Sequence, residues 1–181
     1  QGLQTAINSA ADGDTILLSA GTYYSRTNTF VDSLCGNCQE HQTTTSATFG
    51  YRIRHKSLTI IGESAATVVL KTNSGYGVFI ENAPNVSLLN LTITGGKRDA
   101  DGNATDAGVV VRRSVVNLQD VVIRDNKRSD TTLVIGIAGI VGREGAELDI
   151  RNCVISGNSW DGVALYRGAQ AVVADCIIEN G

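Results

Sequence analysis

Oxygen-bearing side chains alternate along the segment between residues 95 and 106, which also contains Gly102. The potential ligands in this segment are Asp99, Asp101, Asn103 and Asp106. A calcium site needs several such oxygens to converge, and a glycine permits the sharp turn that brings them together. The segment therefore predicts a calcium site, although it has neither the full EF-hand spacing nor the terminal Glu. The alternative, which the sequence favours, is an ordinary solvated turn, because Asp, Asn and Gly populate such turns as well.

A second group of potential metal ligands comprises Cys35, Cys38, His41 and His55. Thiolate and imidazole groups suit tetrahedral zinc, so a zinc site is one interpretation. The spacing to His55 is not that of a standard zinc finger, however. In an exported protein, a Cys-x-x-Cys pair would more often form a small local disulfide or carry two free thiols. All three alternatives stay open on the sequence alone.

Charged and aromatic residues recur at a fixed distance behind a repeated Gly-Val or Gly-Ile pair. The first position of the series holds Glu81, Arg112, Arg143 and Tyr166, and the second holds Asn82, Arg113, Glu144 and Arg167. Guanidinium groups pair well with carboxylates and sulfates, so the series predicts a binding strip for an acidic polysaccharide. Trp160 and Tyr166 would add sugar-stacking faces, and Lys97 and Asp161 would lie in the turns beside the strip. The alternative is a solvated strip in which neighbouring charges, such as Arg112 and Glu81, partner one another.

These residues are embedded in a repeat that occurs four times. Its pattern is two alternating apolar residues, an Asn or Asp, and two more alternating apolar residues, in segments 86–93, 116–123, 148–155 and 171–178. The last apolar position advances from 93 to 123, 155 and 178, in steps of 30, 32 and 23. An alternation with a period of two predicts a short half-buried strand, and the Asn or Asp between two strands predicts a bend. A strand repeat of this length predicts stacked coils.

The Gly-Val or Gly-Ile segment ahead of each copy predicts a third strand in every coil. Strict alternation then places Val109 and Val111 in the core, with Val110 and Arg112 on the outside. Residues at equivalent positions of successive coils are expected to lie about 4.8 Å apart, in columns. Cys153 and Cys176 occupy one such inward column and are predicted to be core residues and not ligands.

The chain resembles the right-handed parallel β-helix superfamily, which includes pectate lyases, polygalacturonases, and alginate and chondroitin lyases. The repeats from Leu58 to Gly181 carry the resemblance, and the opening from Gln4 to Tyr23 is similar to the first segment of that superfamily. The resemblance implies an all-β, right-handed parallel β-helix with three strands per coil. It also implies that one column forms the tight second turn, in which Asn side chains stack: Asn90, Asp120, Asn152 and Asp175.

For activity, the resemblance implies an exported protein that binds or processes polysaccharide, with a lyase acting on an acidic glycan favoured over a glycoside hydrolase. In such lyases a basic residue removes the proton next to a uronate carboxylate, while calcium or arginine neutralises that carboxylate. The matching residues here are Arg112, Arg143 and Lys97, with the segment from Asp99 to Asp106 as the calcium holder. The substrate-binding set would be Glu81, Arg113, Trp160, Asp161, Tyr166 and Arg167. The chain lacks the sharper signatures, namely paired Asp-Asp, Gly-His-Gly and Arg-x-Pro-x-x-Arg. A non-catalytic surface, adhesion or structural module is therefore the alternative.

The expected organisation is a single domain. Residues 1–12 form a short helix that plugs the open end of the stack, residues 25–50 form a long polar loop insertion, and residues 58–181 form the coils. The last residues contain no capping element, so we expect the natural protein to continue beyond them.

Composition narrows the classes of partner. A net charge of −3 gives no reason to expect a nucleic acid, and no apolar run reaches membrane-spanning length. The chain opens on Gln1 and contains no methionine, which indicates a processed piece whose targeting segment is absent. We therefore predict a monomeric protein, secreted or held in the cell envelope, whose partner is an acidic polysaccharide.

Overall fold

The computed structural model describes residues 2–36, 42–99, 105–127 and 136–179. Within these residues the first elements are α1 (Leu3–Ser9), β1 (Thr15–Leu18), β2 (Gly21–Tyr24), β3 (Asn28–Cys35), β4 (Thr43–Arg54), β5 (Leu58–Gly62), β6 (Val68–Lys71), β7 (Tyr76–Glu81), β8 (Val86–Leu89) and β9 (Thr92–Thr94). They are followed by β10 (Ala107–Arg112), β11 (Val115–Gln119), β12 (Val122–Arg124), β13 (Ala138–Arg143), β14 (Glu147–Arg151), β15 (Val154–Ser156), β16 (Val163–Leu165), β17 (Gln170–Ala174) and β18 (Ile177–Glu179).

The strands form three sheets, and each complete coil contributes one strand to every sheet. Sheet A has the order β1-β5-β8-β11-β14-β17, sheet B has β18-β15-β12-β9-β6-β2, and sheet C has β16-β13-β10-β7-β4-β3. Strands of successive coils pair in parallel and in register, as in Val109 with Val78 on one side and Ile140 on the other. The predicted parallel β-helix is confirmed.

Residues in the left-handed conformation close the corners of the coil. The predicted second-turn column, Asn90, Asp120, Asn152 and Asp175, has φ between 51° and 56°. The Asn152 side chain donates a hydrogen bond to Asp120 on the neighbouring coil. Asn and Asp tolerate this backbone better than other side chains do. The corner between sheets C and A uses His55, Asn82, Arg113, Glu144 and Arg167 in the same conformation.

The core is a continuous column of apolar side chains inside the coils, with one contribution from each sheet per coil. In one coil these are Val111, Leu118 and Ile123, all fully buried. Helix α1 covers the first coil by inserting Leu3 and Ile7 into the core. The predicted capping helix is confirmed.

The predicted loop insertion is instead a β-hairpin. Strand β3 pairs in antiparallel fashion with the first half of β4, from Asn28 opposite Phe49 to Cys35 opposite Thr43. The second half of β4 continues into sheet C and pairs in parallel with β7. We call the described hairpin residues, 28–36 and 42–49, the arm. The arm folds over the outer face of sheet C.

A second apolar core fills the space between the arm and sheet C. Phe79, Val110 and Val141 point outward from the coils and are fully buried together with Cys35 and Ala47 of the arm. The alternation of Val109 and Val110 is as predicted, but the outward face of this sheet does not meet solvent. Sheet C is therefore covered on both faces.

The last described coil is more open than the others. Val173 and Ile178 occupy inward positions but are 45% and 48% exposed. No helix in the described ranges is long and apolar enough to span a lipid bilayer.

Replacement of Gly139 by Ala tests the close approach of successive coils. A Cβ at this position would lie 2.5 Å from Ile155 Cγ2 and 2.6 Å from the carbonyl oxygen of Gly162. Because backbone and core must both shift, we expect Gly139→Ala to lower the free energy of unfolding by about 1–3 kcal/mol in urea titrations. Gly2→Ala is the control, since a Cβ there meets nothing within 4 Å. Equal stabilities of the two variants would contradict the packing described.

Candidate functional site

The predicted column of charged residues exists, but it lies under the arm. Arg112 pairs in register with Glu81 on one side and Arg143 on the other. Arg143 is 0% exposed and Glu81 is 3% exposed, because Asp32 and the arm backbone lie over them. The expectation of a solvent-exposed strip along this column is wrong. The same residues face a partner within the chain.

Five side chains of alternating charge form a network beneath the arm. Arg52 Nε donates to Glu81 Oε1 at 2.8 Å, and Arg112 Nη2 donates to Glu81 Oε2 at 2.5 Å. Arg112 Nη1 also donates to Asp32 Oδ1 at 3.1 Å, and Arg143 Nη2 donates to Asp32 Oδ2. Both carboxylates are thus shared between two guanidinium groups. The cations of the predicted strip are already neutralised.

Further donors attach the arm to the coils. Arg143 also donates to the hydroxyl of Tyr76 at 2.8 Å and to the carbonyl oxygen of Leu34 at 2.6 Å. Arg167 donates to the same Leu34 oxygen at 2.5 Å and to the carbonyl oxygen of Gly36. Its ion pair with Glu144 holds the Arg167 guanidinium in place. The two arginines act as clamps on the arm backbone.

The electrostatics of the network favour the charged forms of its carboxyl groups. Burial opposes ionisation of Asp32, but the charge of Arg143 and hydrogen bonds from Arg143, Leu34 and Tyr76 outweigh it and lower the pKa of Asp32. Burial likewise opposes ionisation of Glu81, and the paired Arg52 and Arg112 lower the pKa of Glu81. Both groups are therefore ionised in the folded protein at neutral pH, and the network is a set of ion pairs.

Other predicted substrate-binding residues have separate environments. Trp160 is 38% exposed and lines a surface depression of about 530 Å³ together with Asp161. Tyr166 packs against the second core, where burial, and secondarily Asp161, raises the pKa of its phenol. Arg113 is exposed at the corner between sheets C and A. Trp160 and Asp161 therefore lie together at the surface, whereas the arginines of the network are covered by the arm.

Two of the predicted calcium ligands meet beside Gly75, whose Cα faces both carboxylates. Asp99 accepts hydrogen bonds from Thr48 of the arm, from the backbone N–H at 2.8 Å and from the hydroxyl at 2.7 Å. Asp106 accepts a hydrogen bond from the Asp99 N–H at 2.6 Å and forms an ion pair with Arg98 at 2.6 Å. The other predicted ligands, Asp101 and Asn103, lie outside the described residues. The calcium site stays a prediction.

The pKa of Asp106 is displaced to about 7. Burial raises it most, the charge of Arg98 opposes that rise, and the neighbouring Asp99 adds to it. Arg98, whose side chain is 1% exposed, was not among the predicted site residues. Within the described part of the chain, its Nε and Nη2 groups have no hydrogen-bond acceptor.

A basic corner lies where sheet B turns into sheet C. Lys97 and Lys127 stand side by side on successive coils through a parallel backbone bridge, and both side chains are exposed. The side chains of Lys71 and Arg124, at the C-terminal ends of β6 and β12, are also exposed. We call Lys71, Lys97, Arg124 and Lys127 the basic corner. Among the described acidic side chains, that of Asp125 lies 3.4 Å from Arg124 and 3.6 Å from Lys127.

Buried asparagines hold the basic corner in register. Asn126 is fully buried and donates from Nδ2 to Asn158 Oδ1 of the next coil at 2.9 Å. Its Oδ1 accepts a hydrogen bond from the Gly96 N–H of the preceding coil, also at 2.9 Å. Because Gly96 and Asn126 directly precede the two lysines, this ladder fixes the lysine backbones one coil apart.

Comparison with known proteins agrees with this architecture. The sequence profile of the right-handed beta helix region matches residues 34–181. The chain belongs to the right-handed beta helix family. No curated protein and no solved structure matches the chain. Membership of the β-helix family accounts for the coils and their columns, while a shared fold alone does not specify chemistry.

The cysteines of this β-helix protein fall into two groups. Cys35 is buried in the arm, with its sulfur 3.7 Å from Thr105 Oγ1, and burial raises the pKa of its thiol. Cys38 and His41 lie outside the described residues, so the zinc and disulfide alternatives remain predictions. Cys153 is buried, and its N–H donates to the sulfur of Cys176 at 3.3 Å. The predicted core position of Cys153 is confirmed, and Cys176 is packed against the same core.

Removal of the Asp32 carboxylate tests the clamp. Asp32→Ala leaves the fully buried Arg143 without its ionic partner, so we expect the free energy of unfolding to fall by about 3–5 kcal/mol in urea titrations. Asp149→Ala is the matched control, because its ion pair with Arg151 is exposed and removing it should cost no more than about 1 kcal/mol. A loss at Asp32 no larger than that of the control would show that the arm is not held by this pair.

The Asp106 carboxyl group predicts a specific pH dependence of stability. Its folded pKa of about 7 exceeds the value of about 3.9 in unfolded chains. The native protein therefore binds a proton here that the unfolded chain releases, and this stabilisation is lost as the pH rises through about 7. We compare urea titrations at about pH 5 and pH 8, below and above the folded pKa. Between these pH values the free energy of unfolding should fall more for the wild type than for Asp106→Asn.

Asp161→Asn, at an exposed carboxylate, is the control and should follow the wild type. If Asp106→Asn lost as much stability between the two pH values as the wild type, the titrating group would lie elsewhere.

Proposed function

We propose that this protein binds an acidic polysaccharide through the basic corner and does so without cleaving it. The observation that carries the proposal is the pair of exposed lysines, Lys97 and Lys127, in register on successive coils. A chain with a net charge of −3 places four cations here, and among the described acidic side chains Asp125 pairs with two of them. Such a local excess of positive charge attracts a polyanion despite the acidic whole.

The spacing of the coils suits a polymer better than a single small anion. Adjacent coils place equivalent side chains about 4.8 Å apart along the axis of the stack. A glycan with a carboxylate or sulfate on successive sugars could therefore contact one ammonium group after another. Each exposed contact is weak, so affinity arises from several contacts along the chain and decreases as salt screens them.

An aromatic side chain lies next to the continuation of the lysine series. The N–H of Ser159 bonds to the carbonyl oxygen of Asn126 as the N–H of Lys127 bonds to that of Gly96, which places Ser159 next in the column. Trp160 follows it and is partly exposed. The indole supplies an apolar face on which a sugar ring could pack, with a polar N–H at its edge.

Burial of the arginines favours binding over lyase chemistry. A lyase needs an accessible base and an accessible group that neutralises the uronate carboxylate. Arg112 and Arg143 are engaged with Asp32 and Glu81 beneath the arm. Of the three predicted catalytic residues, Lys97 alone is exposed. We place the protein outside the cell or in the cell envelope, where acidic polysaccharides occur.

Neutralisation of the two stacked lysines tests the proposal. We expect the wild type to bind at least one of immobilised pectate, alginate and chondroitin sulfate at low salt. Lys97→Gln/Lys127→Gln should raise the dissociation constant about tenfold, equivalent to ~1.4 kcal/mol over two surface contacts. Arg113→Gln/Arg151→Gln removes the same charge from exposed positions outside the basic corner and should bind like the wild type.

Equal losses in the two double variants would contradict a specific site at the basic corner. Failure of the wild type to bind any of the polymers would contradict the function itself. Ultraviolet absorbance of unsaturated sugar ends, followed with calcium or with a chelator, provides the test for cleavage. A rise in absorbance that disappears in Lys97→Gln would establish a lyase and overturn the non-catalytic proposal.

A further inference from the structure

A cationic cavity lies at the first coil, away from the basic corner. It has a volume of about 450 Å³ and is bounded by helix α1, the root of the arm and the second half of β4. Its described lining includes Arg52, Arg54 and Lys56, together with Phe49 and Asn8, and none of the described lining residues is acidic. Three cations around one cavity indicate a site for an anion.

Lys56 contributes charge to the cavity without a free donor. Its Nζ donates to the carbonyl oxygens of Ile7 at 3.1 Å and Ala10 at 2.5 Å, where helix α1 ends. It makes a third, longer contact with the carbonyl oxygen of Asn8 at 3.3 Å. The ammonium group is thereby fixed in position and remains a source of positive potential.

Arg52 forms the rigid wall of the cavity. Its guanidinium group is paired with Glu81 and lies 5.3 Å from the ring centroid of Phe49. Its backbone N–H and carbonyl oxygen are both bonded to the side chain of Gln4 in α1, at 2.8 Å and 3.0 Å. These contacts fix the position of Phe49 and its apolar ring relative to the helix.

Arg54 supplies the available hydrogen-bond donors. It pairs in register with Glu81, but the two oxygens of that carboxylate are taken by Arg52 and Arg112. Arg54 is exposed, and no described acidic side chain forms an ion pair with it. A planar guanidinium fork in this state is suited to bind a carboxylate with two parallel hydrogen bonds.

Asn8 provides a second polar contact. Its Oδ1 accepts a hydrogen bond from Gln4 Nε2 at 2.9 Å, which leaves the amide N–H groups of Asn8 as donors at the cavity. The lining therefore combines a fork for a carboxylate, an amide for a hydroxyl group and an aromatic ring for an apolar face.

We propose that this cavity binds a small hydroxylated carboxylate of the sugar-acid class. Arg54 would pair with the carboxylate, Asn8 would donate to a hydroxyl oxygen, and the ring would pack on Phe49. The site shares no residue with the basic corner, so it does not depend on the proposed polymer binding. Inorganic phosphate could satisfy Arg54 but not use the aromatic face, which gives the test a second anion.

The experiment is a titration of the full chain with glucuronate, followed by backbone amide chemical shifts in nuclear magnetic resonance spectra. We expect saturable shifts at Asn8 and Phe49 with a dissociation constant on the order of 1 mM, since few polar contacts are available. Glucose, which has no carboxylate, should give no saturable shift. Inorganic phosphate should bind more weakly than glucuronate.

Two variants test the assignment of the contacts. Arg54→Gln should weaken glucuronate binding at least tenfold, and Asn8→Asp should do the same by placing a negative charge at the cavity. Both positions are exposed, so neither change disturbs the core. Arg151→Gln, on the outer face of sheet A, and Lys97→Gln/Lys127→Gln should leave glucuronate binding unchanged.

The outcomes separate this inference from the proposed function. Glucuronate binding that survives both Arg54→Gln and Asn8→Asp would overturn the site. Phosphate binding as tight as that of glucuronate would overturn the sugar-acid class. Loss of glucuronate binding in the double lysine variant would place the anion at the basic corner and overturn a separate site, whereas failure of polymer binding alone would leave the cavity intact.

Discussion

In-register stacking of the coils is the constraint on which the rest of the structure depends. The peptide groups of every coil must hydrogen-bond in register with those of the next coil. Each corner must therefore adopt the same backbone conformation in all coils. The second-turn column from Asn90 to Asp175 satisfies this requirement with residues that tolerate positive φ. Columns of like side chains follow directly from this geometry. They are the cause of the stacked lysines as well as of the buried arginines.

Stacking also places like charges on neighbouring strands, and the arm compensates them. A column containing Arg112 and Arg143 places two cations on neighbouring strands, where they repel one another unless an anion lies between them. Asp32 of the arm supplies that anion, and Glu81 supplies the next one along the column. Because both carboxylates are buried, removal of either partner would leave an uncompensated charge in the interior. The network therefore specifies where the arm lies, beyond the area that the arm covers.

The sequence was sufficient to predict the coils but not the arm that covers them. The alternation around Val109 and the column of Asn90 are local and repeated, so a single chain predicts them. The contact of Asp32 with Arg143 joins residues far apart in the chain, and no periodic pattern reports it. One signal was nevertheless present. Val109, Val110 and Val111 are consecutive apolar residues, and such a run indicates a strand that is buried on both faces.

The turns show the same limit at smaller scale. The spacing of Asp99 and Asp106 suggested oxygen ligands that converge on an ion, and the two residues do meet. They meet donors from the protein itself, Thr48 for Asp99 and Arg98 for Asp106. The spacing of residues in the sequence indicates which side chains can approach one another. It does not indicate which other groups of the protein already donate hydrogen bonds to them. For Asp99 the answer depends on the arm, whose position the local sequence does not encode.

The buried arginines of the network and the stacked lysines differ in a way that bears on ligand choice. Arg143 and Arg167 are buried, where the planar, weakly hydrated guanidinium group can serve several fixed acceptors at once. Lys97 and Lys127 are exposed, where a compact ammonium group keeps its water and can approach an anion from many directions. A lysine surface of this kind selects for charge density and spacing and imposes little geometric selectivity on each sugar. Under the proposed function, such a surface would favour a repeating polyanion whose charge spacing matches the rise of the coils.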